Sequence, residues 1–511
     1  ARSGQANTGG GGAAGGGLGG SGIVIVKYKK MTTEAPYDAA AFRKIPIYTS
    51  DLNTNITNDV TIVDAAIMTY NHGNQGQTND YASYMCYLLD SAGQLYEFGY
   101  NVSDPINHKY KCRKIDQYLK HNTAQYAPSE ITSISAGHDH MVVIRNGFAY
   151  GLGSDQYGQL GQGGGRYYPQ LTLLNPRNDF IKAACGPYHT MLLNSKGNIF
   201  VTGRNDVGQL GLNNTTNRDT FTTISDYAGR WIDIEAACVG DYFSIAPGPS
   251  INTSIERQKT HCLGILETRQ VFAWGDNSYG QCGLGLNSDG RKVAEPPAPG
   301  NNTDYSRPIL RPSNGYMPYM YASMPGIITN GSNLITKVPA RFASYVKYTS
   351  STPRLYFCDQ FSHNGTNYKP FPFGEIGSDG KKKYSVIEEI ITDPSDDTYV
   401  TLRLRFAPGE VAGTTPLPTD NSIYASGKER TFTNALFYVL RPNEMAVGKH
   451  TSLFIPATKD LYYTGNPNGI VCTASAGSKE PFPTLLGMEG NYHKVAAGLS
   501  HSVVITRSPT S

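Results

Sequence analysis

A recurring unit limits what this chain can fold into more than any other feature. Residues 135–163 read SAGHDHMVVIRNGFAYGLGSDQYGQLGQG, and residues 184–212 read ACGPYHTMLLNSKGNIFVTGRNDVGQLGL. A divergent copy, residues 260–285, reads THCLGILETRQVFAWGDNSYGQCGLG. Each copy runs through a small-residue turn, a His, an apolar run, a tight turn and a second apolar run closed by Gly. A Gly-Gln turn then follows. Gly137 and Gly186 stand 49 residues apart. Units of that period cannot bury their faces alone and must stack on their neighbours. The apolar runs are short, β-branched and bounded by Gly and Asn, which reads as strand.

Three Gly-Gln turns carry a family likeness: Gly158-Gln159-Leu160-Gly161, Gly208-Gln209-Leu210-Gly211 and Gly280-Gln281-Cys282-Gly283. Trp274-Gly275 and the terminal run Ala496-Ala497-Gly498-Leu499-Ser500-His501-Ser502 add to it. The units resemble the RCC1 repeat. That resemblance implies an all-β fold: an RCC1-like β-propeller of seven or eight four-stranded blades, its ring closed by strands from both termini.

With strands named A to D from the central channel outward, A strands are expected at 61–66, 131–136, 180–185, 231–238, 319–324, 386–391, 445–447 and 492–497. B strands follow at 83–89, 140–144, 189–193, 261–266, 344–348, 399–406, 451–455 and 501–506. C strands are expected at 95–98, 148–152, 199–202, 271–274, 355–358, 423–425 and 461–464, and one D strand at 169–174. Long loops fall at 67–82, 240–259, 325–341 and 407–420. The first three join A to B, and the last joins B to C. The propeller occupies 61–511. Residues 23–60 supply N-terminal strands, at 23–28 and 44–49, that complete the last blade.

Residues 1–22 are a glycine-rich anchor or linker, nearly all Gly and Ala from residue 9 onward. Such a run builds no ordinary apolar core, although missing side chains let backbones approach closely. The closing GGSGIVIVKY resembles segments of phage tail fibres and other viral surface proteins.

Composition removes several function classes. Charged residues make up 17% of the chain and the formal net charge is +3, which gives no electrostatic reason to expect nucleic acid. No apolar run reaches the length of a membrane span, so no membrane insertion is expected. The eight Cys form no CxxC pair, which speaks against a metal site or a disulfide framework.

The His series His140, His189, His261, His450 and His501 recurs at one repeat position. A catalytic His is singular and sits beside a nucleophile or acid, so these five read as hydrogen-bonding links between blades. Gly158, Gly208, Gly280 and Trp274 are structural repeat positions of the same kind. His138-Asp139-His140 has no second ligand cluster to complete a metal site. The glycine runs lack the Lys-Ser/Thr pair and helix of a phosphate loop. No cofactor, metal or catalytic group is expected, and the chain reads as a binding or architectural module rather than an enzyme.

Rigid scaffolds carry their binding groups on loops. The candidate partner-binding residues are Tyr70, Asn71, His72 and Asn79 in the first long loop, Tyr242, Phe243 and Asn252 in the second, and Asn330 and Asn333 in the third. The leading expectation is a virion surface protein: a phage tail fibre, tail tip or capsid decoration within a larger assembly. It would bind other virion proteins through the N-terminal segment and a host receptor or glycan through the propeller. The alternatives are a cellular RCC1-type protein acting in guanine-nucleotide exchange or on chromatin, and a propeller-type enzyme inhibitor.

Overall fold

A computed structural model describes residues 23–25, 47–48, 60–71, 82–99, 112–115, 119–121, 124–126, 130–237, 260–283, 321–328, 334–343, 355–358, 370–372, 386–405, 430–466, 480–487, 491–498 and 502–506. Two short N-terminal strands, β1 (Ile23–Ile25) and β2 (Ile47–Tyr48), precede the repeats. The first blade holds β3 (Ile62–Asn71), β4 (Ala82–Asp90), β5 (Leu95–Gly99) and β6 (Cys112–Lys114). The outer hairpin β7 (Leu119–His121) and β8 (Ala124–Tyr126) belongs to the second blade, with β9 (Ile131–Ala136), β10 (His140–Arg145), β11 (Phe148–Ser154) and β12 (Tyr167–Leu173).

The third blade is β13 (Phe180–Gly186), β14 (His189–Asn194), β15 (Ile199–Gly203) and β16 (Arg218–Thr223). The fourth is β17 (Trp231–Ala236), β18 (His261–Leu266) and β19 (Val271–Gly275), a three-stranded sheet. Its A and B strands pair across the long connection, Ala236 opposite Cys262, where the repeat spacing places them.

The expected strands 344–348 and 423–425 lie outside the described residues. The described strands within 319–425, expected as two blades, do not form two. They enter a single seven-stranded sheet of β20 (Tyr321–Ile328), β21 (Leu334–Pro339), β22 (Leu355–Cys358), β23 (Pro370–Pro372), β24 (Val386–Asp393), β25 (Asp396–Arg405) and β26 (Arg430–Val439). The expected A–B loop 325–341 is instead a hairpin, Ile328 opposite Ile335, followed by a short 3-10 turn at Ala340–Phe342. Apolar β-branched residues flank its tip on both sides, which favours pairing over an open loop. The expected B–C loop 407–420 is the link from β25 to β26, and it lies outside the described residues.

The repeat resumes in β27 (Pro442–Val447), β28 (Thr451–Pro456), β29 (Leu461–Gly465) and β30 (Glu480–Gly487), and ends in β31 (Tyr492–Ala497) and β32 (Ser502–Thr506). Inner strands pack in succession: β3 on β9, β9 on β13, β13 on β17, β17 on β27 and β27 on β31. The fourth blade thus meets the β27–β30 blade directly. The seven-stranded sheet is an insertion carried outside that succession, resting on β30 through β20 and β26.

Strands from the two ends of the chain meet. β1 lies parallel to β32, Ile23 opposite Ser502 and Ile25 opposite Val504. The second N-terminal strand behaves differently from expectation. β2 pairs parallel with β6 on the outer edge of the first blade, Ile47 opposite Cys112, and not in the last blade.

The core follows from the wedge shape of a blade. Near the centre the blades crowd, and inner strands carry Ala184, Ala446 and Ala66. Large rings at the start of the inner strands β17 and β13, Trp231 and Phe180, meet rings of the C strands β19 and β15. Trp231, Phe272 and Trp274 meet edge to face at centroid distances of 5.7 and 6.0 Å. Phe180 and Phe200 do the same at 5.5 Å. Each fully buried side chain of this size contributes roughly 1.5–3 kcal/mol, so the blade faces dominate stability.

Candidate functional site

Side chains at the start of the B strands lock each blade to the next. His140 Nε2 lies 3.0 Å from Thr190 Oγ1, His189 Nε2 lies 3.2 Å from Cys262 Sγ, and His261 Nε2 lies 2.7 Å from Ser452 Oγ. The partner is each time the second residue of the following B strand. It also reaches back to the Gly-Gln turn of the preceding blade. Thr190 Oγ1 donates to the Gln159 carbonyl at 2.6 Å, Ser452 Oγ to that of Gln281 at 2.8 Å, and Cys262 Sγ to that of Gln209 at 3.4 Å. A hydroxyl or thiol has one hydrogen, and the carbonyl takes it. The imidazole Nε2–H must therefore be the donor to that oxygen or sulfur.

The same turn is clamped by a second strand. Thr202 Oγ1 donates to the Gly158 carbonyl at 2.7 Å, Thr464 Oγ1 to that of Gly280 at 2.9 Å, and Trp274 Nε1 to that of Gln209 at 3.0 Å. Gly158, Gly208 and Gly280 hold φ of +79°, +73° and +77°, where a side chain would be strained. A short side chain at the head of each turn closes it. Asp155, Asn205 and Asn277 accept from the backbone N–H of Leu160, Leu210 and Cys282.

The electrostatics suit a structural joint. Burial, with a smaller push from His140, lowers the His189 pKa to about 3. Burial and the neighbouring His450 do the same to His261, also to about 3. Nδ1 of both rings lacks a partner, so a second proton there would stand uncompensated. His140 differs. Against the cost of burying its cation, Cys185 and the Asp139 carboxylate, 3.8 Å from Nδ1, raise its pKa to about 9. Burial pushes the Cys262 thiol well up, keeping it the protonated donor the joint requires.

Two of the five expected His positions need comment. His450 is not the equivalent of His261. Thr451 takes that place, opposite Gly465 as His261 is opposite Gly275, and His450 tilts against Tyr279 with centroids 4.3 Å apart. His501 immediately precedes β32 and lies outside the described residues. The three turn glutamines were visible as turn motifs but not as acceptors in the joint. Thr190, Cys262 and Ser452 escaped sequence reasoning. Their signal was a small donor directly after the repeated His position.

The expected partner-binding residues do not gather in the described structure. Tyr70 and Asn71 belong to strand β3 rather than a loop, opposite Ser83 and Ala82, because the apolar A strand runs further than its repeat counterparts. His72, Asn79, Tyr242, Phe243, Asn252, Asn330 and Asn333 lie outside the described residues. No group of three or more metal-ligating side chains occurs among the described residues.

What the geometry does supply is asymmetry between the two faces. B–C connections at 91–94, 146–147, 195–198, 267–270 and 457–460 never exceed four residues. The opposite face carries A–B connections at 72–81 and 237–260 and C–D connections at 100–111, 204–217 and 466–479.

Comparison with known proteins finds the same repeat. Residues 146–193 match the regulator of chromosome condensation (RCC1) repeat, and residues 180–209 and 259–281 match a second model of that repeat. The human X-linked retinitis pigmentosa GTPase regulator is 34% identical over 154 residues, covering 30% of this chain and 13% of that protein. An ultraviolet-B receptor of Arabidopsis thaliana is 30% identical over 168 residues, covering 32% of this chain and 33% of the receptor. This chain thus spans about a third or less of those relatives. Among solved structures, Prp20p of Saccharomyces cerevisiae, described by its binding to Gsp1p and histones, aligns over 88% of this chain and 93% of its own at 13% identity and a TM-score of 0.38. Human WBSCR16 aligns over 89% of each chain at 16% identity and a TM-score of 0.40.

Proposed function

We propose that this propeller of RCC1-like repeats is a non-enzymatic protein-binding platform whose partner docks on the face bearing the A–B and C–D connections. The face asymmetry carries the reading. Blades are joined by the His hydrogen bonds, the B–C connections are tight turns, and the longest A–B and C–D connections of the repeat blades lie on the other side. Long loops cost little extra closure entropy, and on a rigid frame they can be shaped to a partner. One relative is named a GTPase regulator and the other an ultraviolet-B receptor, which supports a cellular binding role. The main support for the virion reading is the glycine-rich segment and its closing strand within residues 1–28, and neither relative is named as a virion protein.

Affinity capture with the full chain tests the proposal. One bait is native; in the other, residues 72–81 and 240–259 are replaced by short Gly-Ser turns. Partners held by the first and lost by the second support the reading, and identical partner sets overturn it. Release of a fluorescent guanine nucleotide from purified small GTPases then decides whether the bound partner is exchanged or only held.

A further inference from the structure

Every inner strand of the ring carries a β-bulge at the same place. The register slips between Ile62 and Asp64, Ile131 and Ser133, Phe180 and Lys182, Trp231 and Asp233, Pro442 and Glu444, and Tyr492 and Lys494. The six extra residues are Val63, Thr132, Ile181, Ile232, Asn443 and His493. A bulge leaves its extra residue unpaired and re-aims the side chain. Because the bulge sits at the start of each inner strand, all six surround the channel mouth on the tight-turn face.

That mouth is apolar over part of its circumference. Val63 is 59% exposed, Ile181 48% and Ile232 39%. Ile62 is exposed beside Val63, and Ile505, opposite Lys494 in the last blade, is exposed at the same level. Most of the exposed large hydrophobic side chains among the described residues therefore gather at this opening, whereas single scattered ones would need no explanation.

Below the collar the wall is charged. Lys182 Nζ bridges Asp233 at 2.7 Å and Glu235 at 2.6 Å, and Lys494 Nζ lies 3.3 Å from Glu444. Asp64 directly follows the bulge of the first inner strand, as Lys182, Asp233, Glu444 and Lys494 follow theirs, so these groups stand at one level of the ring. Among the described residues four carboxylates, Asp64, Asp233, Glu235 and Glu444, stand there against Lys182 and Lys494 beneath an apolar rim, and burial raises the pKa of Asp64 and Glu235.

We propose that the channel mouth on the tight-turn face takes a short basic peptide segment bearing apolar side chains, the apolar groups seated on Val63, Ile181 and Ile232 and a cationic group reaching Glu444 and Asp64. This is independent of the partner proposed for the opposite face. The rim would desolvate the peptide's apolar side chains, and the carboxylates would select its charge.

The test uses the full chain and fluorescence anisotropy with a labelled peptide amide, Leu-Lys-Ile-Arg-Leu-Lys. Two controls are Leu-Glu-Ile-Glu-Leu-Glu and Ser-Lys-Ser-Arg-Ser-Lys. The basic apolar peptide should bind at least about tenfold more tightly than either control. The double variant Ile181→Ser/Ile232→Ser should weaken it about tenfold, and Glu444→Gln should weaken it and flatten its salt dependence. Replacing residues 240–259 on the other face should leave it unchanged. Val63→Ser serves as an independent rim variant should the double variant melt early. No saturable binding up to about 1 mM, equal binding of the acidic peptide, or indifference to the rim variants would each overturn the proposal.

Discussion

Arg341 clasps Asp460 with three hydrogen bonds, Nε to both carboxylate oxygens at 3.0 and 2.8 Å and a terminal nitrogen to Oδ1 at 2.6 Å. Arg341 sits in the short 3-10 turn of the inserted sheet, and Asp460 is fully buried in the B–C turn of the β27–β30 blade. The pair fastens the insertion to the ring. Phe342 beside it enters the same apolar cluster as Trp231 and Trp274.

Removing one partner leaves the other unsatisfied, and for a buried pair that costs about 3–5 kcal/mol. Asp460→Ala is therefore expected to shift the denaturation midpoint strongly. Arg341→Met should cost less, because the guanidinium is 28% exposed and partly wetted. The Arg341→Met/Asp460→Leu double variant should recover part of the loss. Additive losses in this cycle, measured in urea, would show that the two residues do not act together.

The inter-blade joint makes a different demand. Thr190 accepts from His140 and donates to Gln159. Thr190→Val keeps the shape and strips both bonds from a fully buried site, so a loss of about 1–3 kcal/mol is expected. Thr190→Ser keeps the hydroxyl and should cost less than that. Equal losses for the two variants in chemical denaturation would mean that packing, not the relay, holds the joint.

The joint and the insertion explain what the sequence could and could not disclose. The His-to-Gly spacing is a local pattern, set by one hairpin and its turn, and it placed β18 and β19 on the far side of a long connection. Thr451 shows the limit: the joint needs a residue opposite the strand-ending Gly465, and a His one place earlier imitates it in sequence but not in register. The insertion was misread as two blades because short apolar runs look alike whether they belong to a four-stranded wedge or to a wider sheet. Only pairing separates the two, and the pairing of β20 with β26 spans more than a hundred residues. The bulges leave no mark in the residue types, since Val63, Thr132 and Asn443 share only a position.

His189 and His261 give the fold a pH dependence of definite sign. Their folded pKa values, about 3, lie below the usual value of 6.5. The unfolded chain then binds more protons between those limits. The stabilisation is complete above about pH 6.5 and is lost as pH falls toward 3, at up to about 1.4 kcal/mol per pH unit for each ring. His140 adds no slope below about pH 6, because with a folded pKa of about 9 it is protonated in both states there. The melting temperature is expected to fall between pH 6 and pH 4, and less steeply in His261→Gln. Parallel pH profiles for the two proteins would count against this assignment.

Gly186 and His189 offer the sharpest test of the joint. A Cβ built on Gly186 would fall 1.9 Å from Cε1 of the His189 ring and 2.3 Å from Nδ1, so the ring lies flat against this backbone. Gly137 bears the same relation to His140, with 2.3 Å to Cε1. Neither glycine is needed for a positive φ; each is needed for space. Gly186→Ala must expel the His189 ring or shift the A–B turn, and the ring is also the donor to Cys262. The expected loss is about 3 kcal/mol, the scale of an overpacked core combined with a broken buried hydrogen bond. His189→Ala alone removes the bond and opens a cavity, and should cost a similar amount. If the clash is the cause, adding Gly186→Ala to His189→Ala should cost almost nothing, because the methyl then enters vacated space. A coupling near zero in this cycle, read from denaturation midpoints, would mean that the turn, not the ring, requires glycine.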